Sequence, residues 1–146
     1  MIRITRNPIR PEAAIEAVRK KANGAVIAYV GTVRDVSHDR RVIFMEHQAS
    51  LQDLARQELE RIAEDIRLRW RLQDISIIHR IGKLRTGEIL LVVALGDGGA
   101  VGWPSGLAPA LVAALAGQVA VRPGQPEARA VVIEVEIGRA ACGEGA

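Results

Sequence analysis

Residues Gly24–Asp35, reading Gly-Ala-Val-Ile-Ala-Tyr-Val-Gly-Thr-Val-Arg-Asp, constrain the fold of this chain more than any other stretch. The run is apolar nearly to its end, and Val26, Val30 and Val33 are β-branched, which favours an extended backbone. It is about as long as a strand and too short for a membrane-spanning helix. The spacing therefore predicts a strand over Ala25–Val33. Gly31 interrupts it and marks either a bulge or close backbone approach, or a glycine tolerated for packing. Arg34 follows at the strand end, where the apolar run meets solvent. It is either a solvated rim charge or a planar group able to grip a phosphate or carboxylate.

The chain has 146 residues, enough for one domain with a hydrophobic core. An apolar fraction of 49% and a charged fraction of 25% are ordinary for a globular protein. Met1–Arg10 carries charges and a proline where a signal peptide needs an apolar segment, and no apolar run reaches spanning length. A cytoplasmic protein is the simplest expectation. The single cysteine, Cys142, excludes an internal disulfide and any multi-cysteine metal site. Net charge is only +3, so nucleic-acid binding is not expected from the basic excess. One Phe and one Tyr leave no aromatic platform for stacked bases. His38, His47 and His79 are scattered without ligand spacing, so neither a metal nor a resident cofactor is expected.

Along the chain, Ile2–Thr5 predicts a short edge strand. Pro11 suits the first turn of a helix, and Ala14, Ile15, Val18 and Ala22 keep helical spacing up to a stop at Asn23-Gly24, residues suited to positive φ. Asp35–Arg41 is polar and reads as a mobile loop carrying His38. Val42–His47 predicts a strand paired with Ala25–Val33. Glu46 and His47 are neighbours that would point to opposite faces, which argues against an acid–base pair. Ser50 is an N-cap candidate for the longest helix, with Asp53 near a capping-box place. Leu51, Leu54, Ala55, Leu59, Ile62, Ala63, Ile66 and Trp70 form its apolar stripe. Asp74–Ile81 and Glu88–Leu95 predict a hairpin with a turn at Thr86-Gly87. His79 within it is either a hydrogen-bonded core or edge residue or, with a pKa near neutrality, a catalytic partner.

Taken together, Gly24–Val26, Tyr29–Asp35, the helix ending at Trp70, Ile78-His-Arg-Ile-Gly-Lys-Leu84 and Gly87-Glu88 resemble the large, catalytic subunit of molybdopterin synthase, the MoaE family. Order and spacing agree from about residue 24 to residue 95. The resemblance implies an α+β fold of α/β-hammerhead type, an antiparallel sheet with packed helices, built as a homodimer within a heterotetramer. It implies a partner, a small ubiquitin-like sulfur carrier of MoaD type whose Gly-Gly tail ends in a thiocarboxylate. Two sulfur transfers to cyclic pyranopterin monophosphate would then make the dithiolene of molybdopterin. Thr32, Val33 and Arg34 match the family's substrate-binding segment. Arg34 is chemically suited to an anionic pterin phosphate or a terminal carboxylate.

The resemblance fails after the last apolar strand. The family continues with a His-Arg pair, a helix leading to a lysine, and a Pro-x-Trp-Lys segment; here Gly98-Gly99 stands in the His-Arg place. No lysine follows Lys83, and Trp103-Pro104 lies in the wrong place and order. A neutral segment cannot replace an ammonium that meets negative charge or moves a proton, so the catalytic residues stay unassigned. Asp97–Ala146 is rich in Ala, Gly, Val, Pro and Arg, with a possible apolar helix over Leu107–Val121, a strand over Ala128–Ile137 and a frayed end. The whole chain is expected to form one domain over 1–146. Its segment 96–146 is either the product of a reading-frame shift near codon 96 or a genuine divergent tail. Two functions follow, an enzyme that transfers sulfur to a pterin phosphate and a non-catalytic scaffold that dimerises or binds the small subunit.

Overall fold

The computed structural model describes residues 1–37, 40–47, 52–98 and 133–135. In chain order the elements are β1 (Ile2–Thr5), α1 (Pro11–Val18), β2 (Ala25–Val33), β3 (Val36–Ser37), β4 (Arg40–Arg41), β5 (Phe44–His47), α2 (Gln52–Trp70), β6 (Asp74–Arg80), β7 (Gly82–Arg85), β8 (Ile89–Asp97) and β9 (Ile133–Val135). Five strands make the main sheet in the order β1-β6-β8-β2-β9. The fold is α+β as expected, and every pair in the main sheet is antiparallel except β1–β6, which is parallel. β1 lies at the sheet edge, as its sequence predicts.

The inner strands β6 and β8 are apolar on both faces because both faces are covered. On one face, Ile78, Val92 and Ala94 pack against Ala14 and Val18 of α1. On the other, Ile75, Ile77, Leu91, Val93 and Leu95 join Tyr29, Val33 and the α2 residues Leu59, Ile62 and Ile66. The stripe on α2 is narrower than its sequence suggests. Leu54 is 62% exposed, on the helix face shared with Glu58, Arg61, Asp65 and Leu68. Trp70 is packed partly against the core, with the Arg69 guanidinium 4.7 Å over its ring. The Ser50 cap and Leu51 lie outside the described residues.

Helix α1 stops at Val18, short of Ala22. Neither Asn23 nor Gly24 takes positive φ, so the stop is not the left-handed one expected. The Asn23 side chain does the work instead. Its amide donates to Val18 O at 2.6 Å, which also accepts from Lys20 N–H at 3.0 Å, and to Asp74 Oδ2 at 2.9 Å. Lys20 completes the group through an ion pair with Asp74.

Two pairings differ from expectation. β5 pairs with β7 in a separate two-stranded ribbon, not with β2. Gly82, at φ 93°, turns the chain out of β6 and into that ribbon, a conformation glycine reaches without strain. Met45 and Leu84 seal the ribbon against the core. The polar segment Asp35–Arg41 is not simply a loop: Val36 pairs with Arg41 and Ser37 with Arg40, while His38 lies outside the described residues. The expected hairpin of β6 and β8 is present, with Ile75 opposite Leu95. Within the predicted strand 128–137, Ile133–Val135 is a strand paired with Gly31–Val33. The expected helix over 107–121 lies outside the described residues.

Candidate functional site

Strand register gathers four strand ends at one edge of the main sheet. β1 and β6 finish together, Thr5 beside Arg80. His79, next to that end, faces Leu91 near the start of β8, and Ile89 faces Thr32 near the end of β2. Arg34 therefore leaves the sheet at the same corner as Arg80 and Glu88.

The register of β2 and β8 slips between Gly31 and Thr32, so that Gly31 faces Leu91 but Thr32 faces Ile89. Leu90 is the extra residue of a β-bulge. Leu90 and Leu91 both lie in the α2-side core, breaking the alternation that the rest of β8 keeps. Gly31 thus marks an irregularity, one of the two readings its sequence allowed.

Thr32 and Arg34 are half-buried at this corner, and Val33 is buried in the core. Both backbone groups of Val33 are engaged: its N–H donates to Glu88 O at 3.0 Å and its carbonyl accepts from Gly87 N at 2.7 Å. Val33 thereby fixes the residues on either side of it. Gly87, at φ 84°, supplies the left-handed turn that lets the chain approach Val33 this way.

Glu88 is the acidic member of the corner. One carboxylate oxygen accepts from the Arg80 guanidinium at 3.0 Å, and the other from the Arg85 backbone N–H at 2.6 Å. The bond from Arg85, then that from Arg80, holds the Glu88 carboxyl below the usual carboxylate range. The Arg80 side chain is only 12% exposed, so a lone charge there would be costly, and Glu88 supplies its counter-charge. Gly87-Glu88 is legible in the sequence as a motif, but a role for Glu88 is not. The available signal was Arg80 itself, a charge closing an apolar strand and hence in need of a partner.

The remaining candidates are dispersed. His79 is buried in the inner strand β6, as its core reading expects. Lys83 stands on the outer face of the β5–β7 ribbon, its ammonium 4.0 Å from the Phe44 ring centroid and opposite Glu46 in register. Among the described residues, no three His, Cys, Asp or Glu side chains gather as a metal-ligand set would, and no helix is long and apolar enough to cross a membrane. At this corner the Arg80 guanidinium and the Arg85 backbone N–H hold the Glu88 carboxylate, while Arg34 follows the end of β2 as a forked donor of the kind that suits an oxyanion.

The sequence model described as MoaE protein matches residues 4–97. It starts earlier than the motif resemblance and takes in the end of β1 and all of α1. The chain is 36% identical to the molybdopterin synthase catalytic subunit of Bacillus subtilis (strain 168) over 92 residues, 63% of this chain and 58% of that protein. It is 28% identical to the human protein of the same name over 95 residues, 65% of this chain and 50% of that one. The chain thus matches little more than half the length of these relatives. Molybdopterin synthase from Staphylococcus aureus shares the fold with a TM-score of 0.60 at 23% identity, over 79% of this chain and 80% of that one. Molybdopterin cofactor biosynthesis protein E from Burkholderia multivorans does so with a TM-score of 0.57 at 26% identity, over 80% and 73%. The matched span holds both helices, the strands β2, β6 and β8, and the whole corner around Arg34 and Glu88, and on that ground the chain belongs to the MoaE protein family.

Proposed function

We propose that this chain works in the cytoplasm as the large, catalytic subunit of a molybdopterin synthase. It receives the thiocarboxylated tail of a small ubiquitin-like carrier and directs its sulfur to cyclic pyranopterin monophosphate, as a homodimer within a heterotetramer. The observation that carries this reading is the family match over residues 4–97, which includes the basic corner at the end of β2. In this reading Arg34 holds an anionic group through its forked donors, and Thr32 offers a hydroxyl beside it. Val33 keeps both in place through its backbone.

One observation favours a second reading. No lysine follows Lys83, so the ammonium groups that the family resemblance implies for the pocket have no counterpart. A scaffold that binds the small subunit without chemistry would need none. Reconstitution separates the two: purified chain is mixed with thiocarboxylated small subunit and cyclic pyranopterin monophosphate, and molybdopterin is assayed together with small-subunit binding. Product supports the enzyme. Binding without product supports the scaffold, and loss of both refutes both readings.

A further inference from the structure

We propose that Glu88 is a positioning residue for Arg34, holding the end of β2 in the geometry that binds an anion although Glu88 itself repels one. The proposal rests on the reading of Arg34 as the anion ligand.

The linkage runs through short, local bonds. Arg34 is preceded by Val33, whose N–H and carbonyl are both held by the Gly87-Glu88 turn, at 3.0 and 2.7 Å. That turn is closed by Glu88 N–H donating to Arg85 O at 3.2 Å and by Arg85 N–H donating to the Glu88 carboxylate at 2.6 Å. The second carboxylate oxygen is tied to Arg80, at the end of β6, at 3.0 Å. The carboxylate thus joins the ends of β6 and β7 to the turn that grips β2. Its two oxygens face two donors. A carboxamide of the same shape has one oxygen and one NH2 group, so Glu88→Gln sets a donor against a donor on one side.

The sign of the effect separates positioning from simple charge. A carboxylate that merely stands near a basic site weakens anion binding, and neutralising it would tighten binding. A carboxylate that positions the ligand arginine does the reverse. Displacing such a group weakens its charge-assisted bonds to the ligand, and losing one of them costs about tenfold or more in affinity.

The test uses the full chain and cyclic pyranopterin monophosphate as the probe. Affinity is measured by calorimetric titration at neutral pH, well below the melting temperature of each protein. Wild type, Glu88→Gln, Glu88→Asp and Arg34→Ala are compared. We expect Glu88→Gln to bind about tenfold more weakly, as for the loss of one charge-assisted bond, and Glu88→Asp, which keeps the charge and loses reach, to fall between it and wild type. If Glu88→Gln binds as tightly as wild type or more tightly while Arg34→Ala is weakened, the positioning role is overturned and the Arg34 reading stands. A lowered melting temperature with unchanged affinity overturns it equally. If Arg34→Ala binds as wild type does, or wild type shows no binding, the reading beneath the proposal fails instead. Should Glu88→Gln not fold, Glu88→Asp decides: wild-type affinity overturns the proposal, and weakened affinity supports it.

Discussion

Gly96 lies in β8 where the sheet meets the loop after α1, and replacing it with alanine tests how tightly that junction is built. A Cβ added there would fall on Asn23 Nδ2, 3.0 Å from Asn23 Cγ and 2.9 Å from the backbone oxygen of Val18. The φ of Gly96 is not positive, so the cost would be steric and not conformational. Asn23 cannot swing aside freely, because its amide bonds both Val18 O and Asp74. Overpacking costs about 1–3 kcal/mol, and a lost hydrogen bond about 1 kcal/mol more. Gly96→Ala is therefore expected to destabilise by about 2–4 kcal/mol, a large share of the ~5–15 kcal/mol typical of a domain. With a urea slope of about 2 kcal/mol/M, the middle of the range for small proteins, the unfolding midpoint should fall by about 1–2 M. The same change in an Asn23→Ala background should cost less than in the wild type, because part of the obstruction is gone. Strict additivity of the two changes, or an unchanged midpoint for Gly96→Ala, would refute the reasoning.

Three further outcomes are expected. Arg71 ends α2 with φ 53°, and Leu72 N–H closes the turn onto Arg67 O at 3.0 Å, so Arg71→Gly should stabilise by about 0.5–1 kcal/mol in urea unfolding; a loss would show that the arginine side chain matters more than its backbone. Burial pushes the Tyr29 phenol up to about 12, and as the chain has one tyrosine, phenolate absorbance should titrate near that value while the protein stays folded. Because the folded value is raised, this stabilising contribution is intact below about pH 10, the unfolded value, and is lost as pH climbs through the folded one. Lys20 first, and then Asn23, hold the Asp74 carboxyl below its ordinary range. Its contribution is thus present above about pH 4 and lost as pH falls through the folded value, so Asp74→Asn should flatten the acid side of a stability–pH curve.

What could be read from the sequence was whatever repeats locally. The apolar runs of β2 and β8 and the 3.6-residue rhythm of α2 announce their elements, because burial of one continuous face leaves a periodic trace. Partners were harder to read. Nearness in sequence favours pairing β5 with β2, yet β5 joins β7 after the whole of α2 has intervened. Ala22 keeps helical spacing and so predicts a longer α1, while at the actual end Asn23 reaches back to Val18 and across to Asp74, contacts with no periodic trace. At the corner, Arg34 was legible as a charge ending an apolar strand. The Arg80–Glu88 pair was not, since it joins the end of one strand to the turn before another.

The bulge at Leu90 carries a consequence for how β8 can change. Because Leu90 and Leu91 both enter the same core, the strand counts one residue more than its partner. Everything before the bulge, Glu88 included, owes its facing to that surplus. Removing a single residue between Glu88 and Val92 would restore simple alternation and turn Glu88 away from Arg80 and Arg85. An apolar substitution of similar volume at position 90 would leave the count intact. In this strand, length is under a stricter constraint than identity: exchanges among its apolar residues should be tolerated where a one-residue deletion is not.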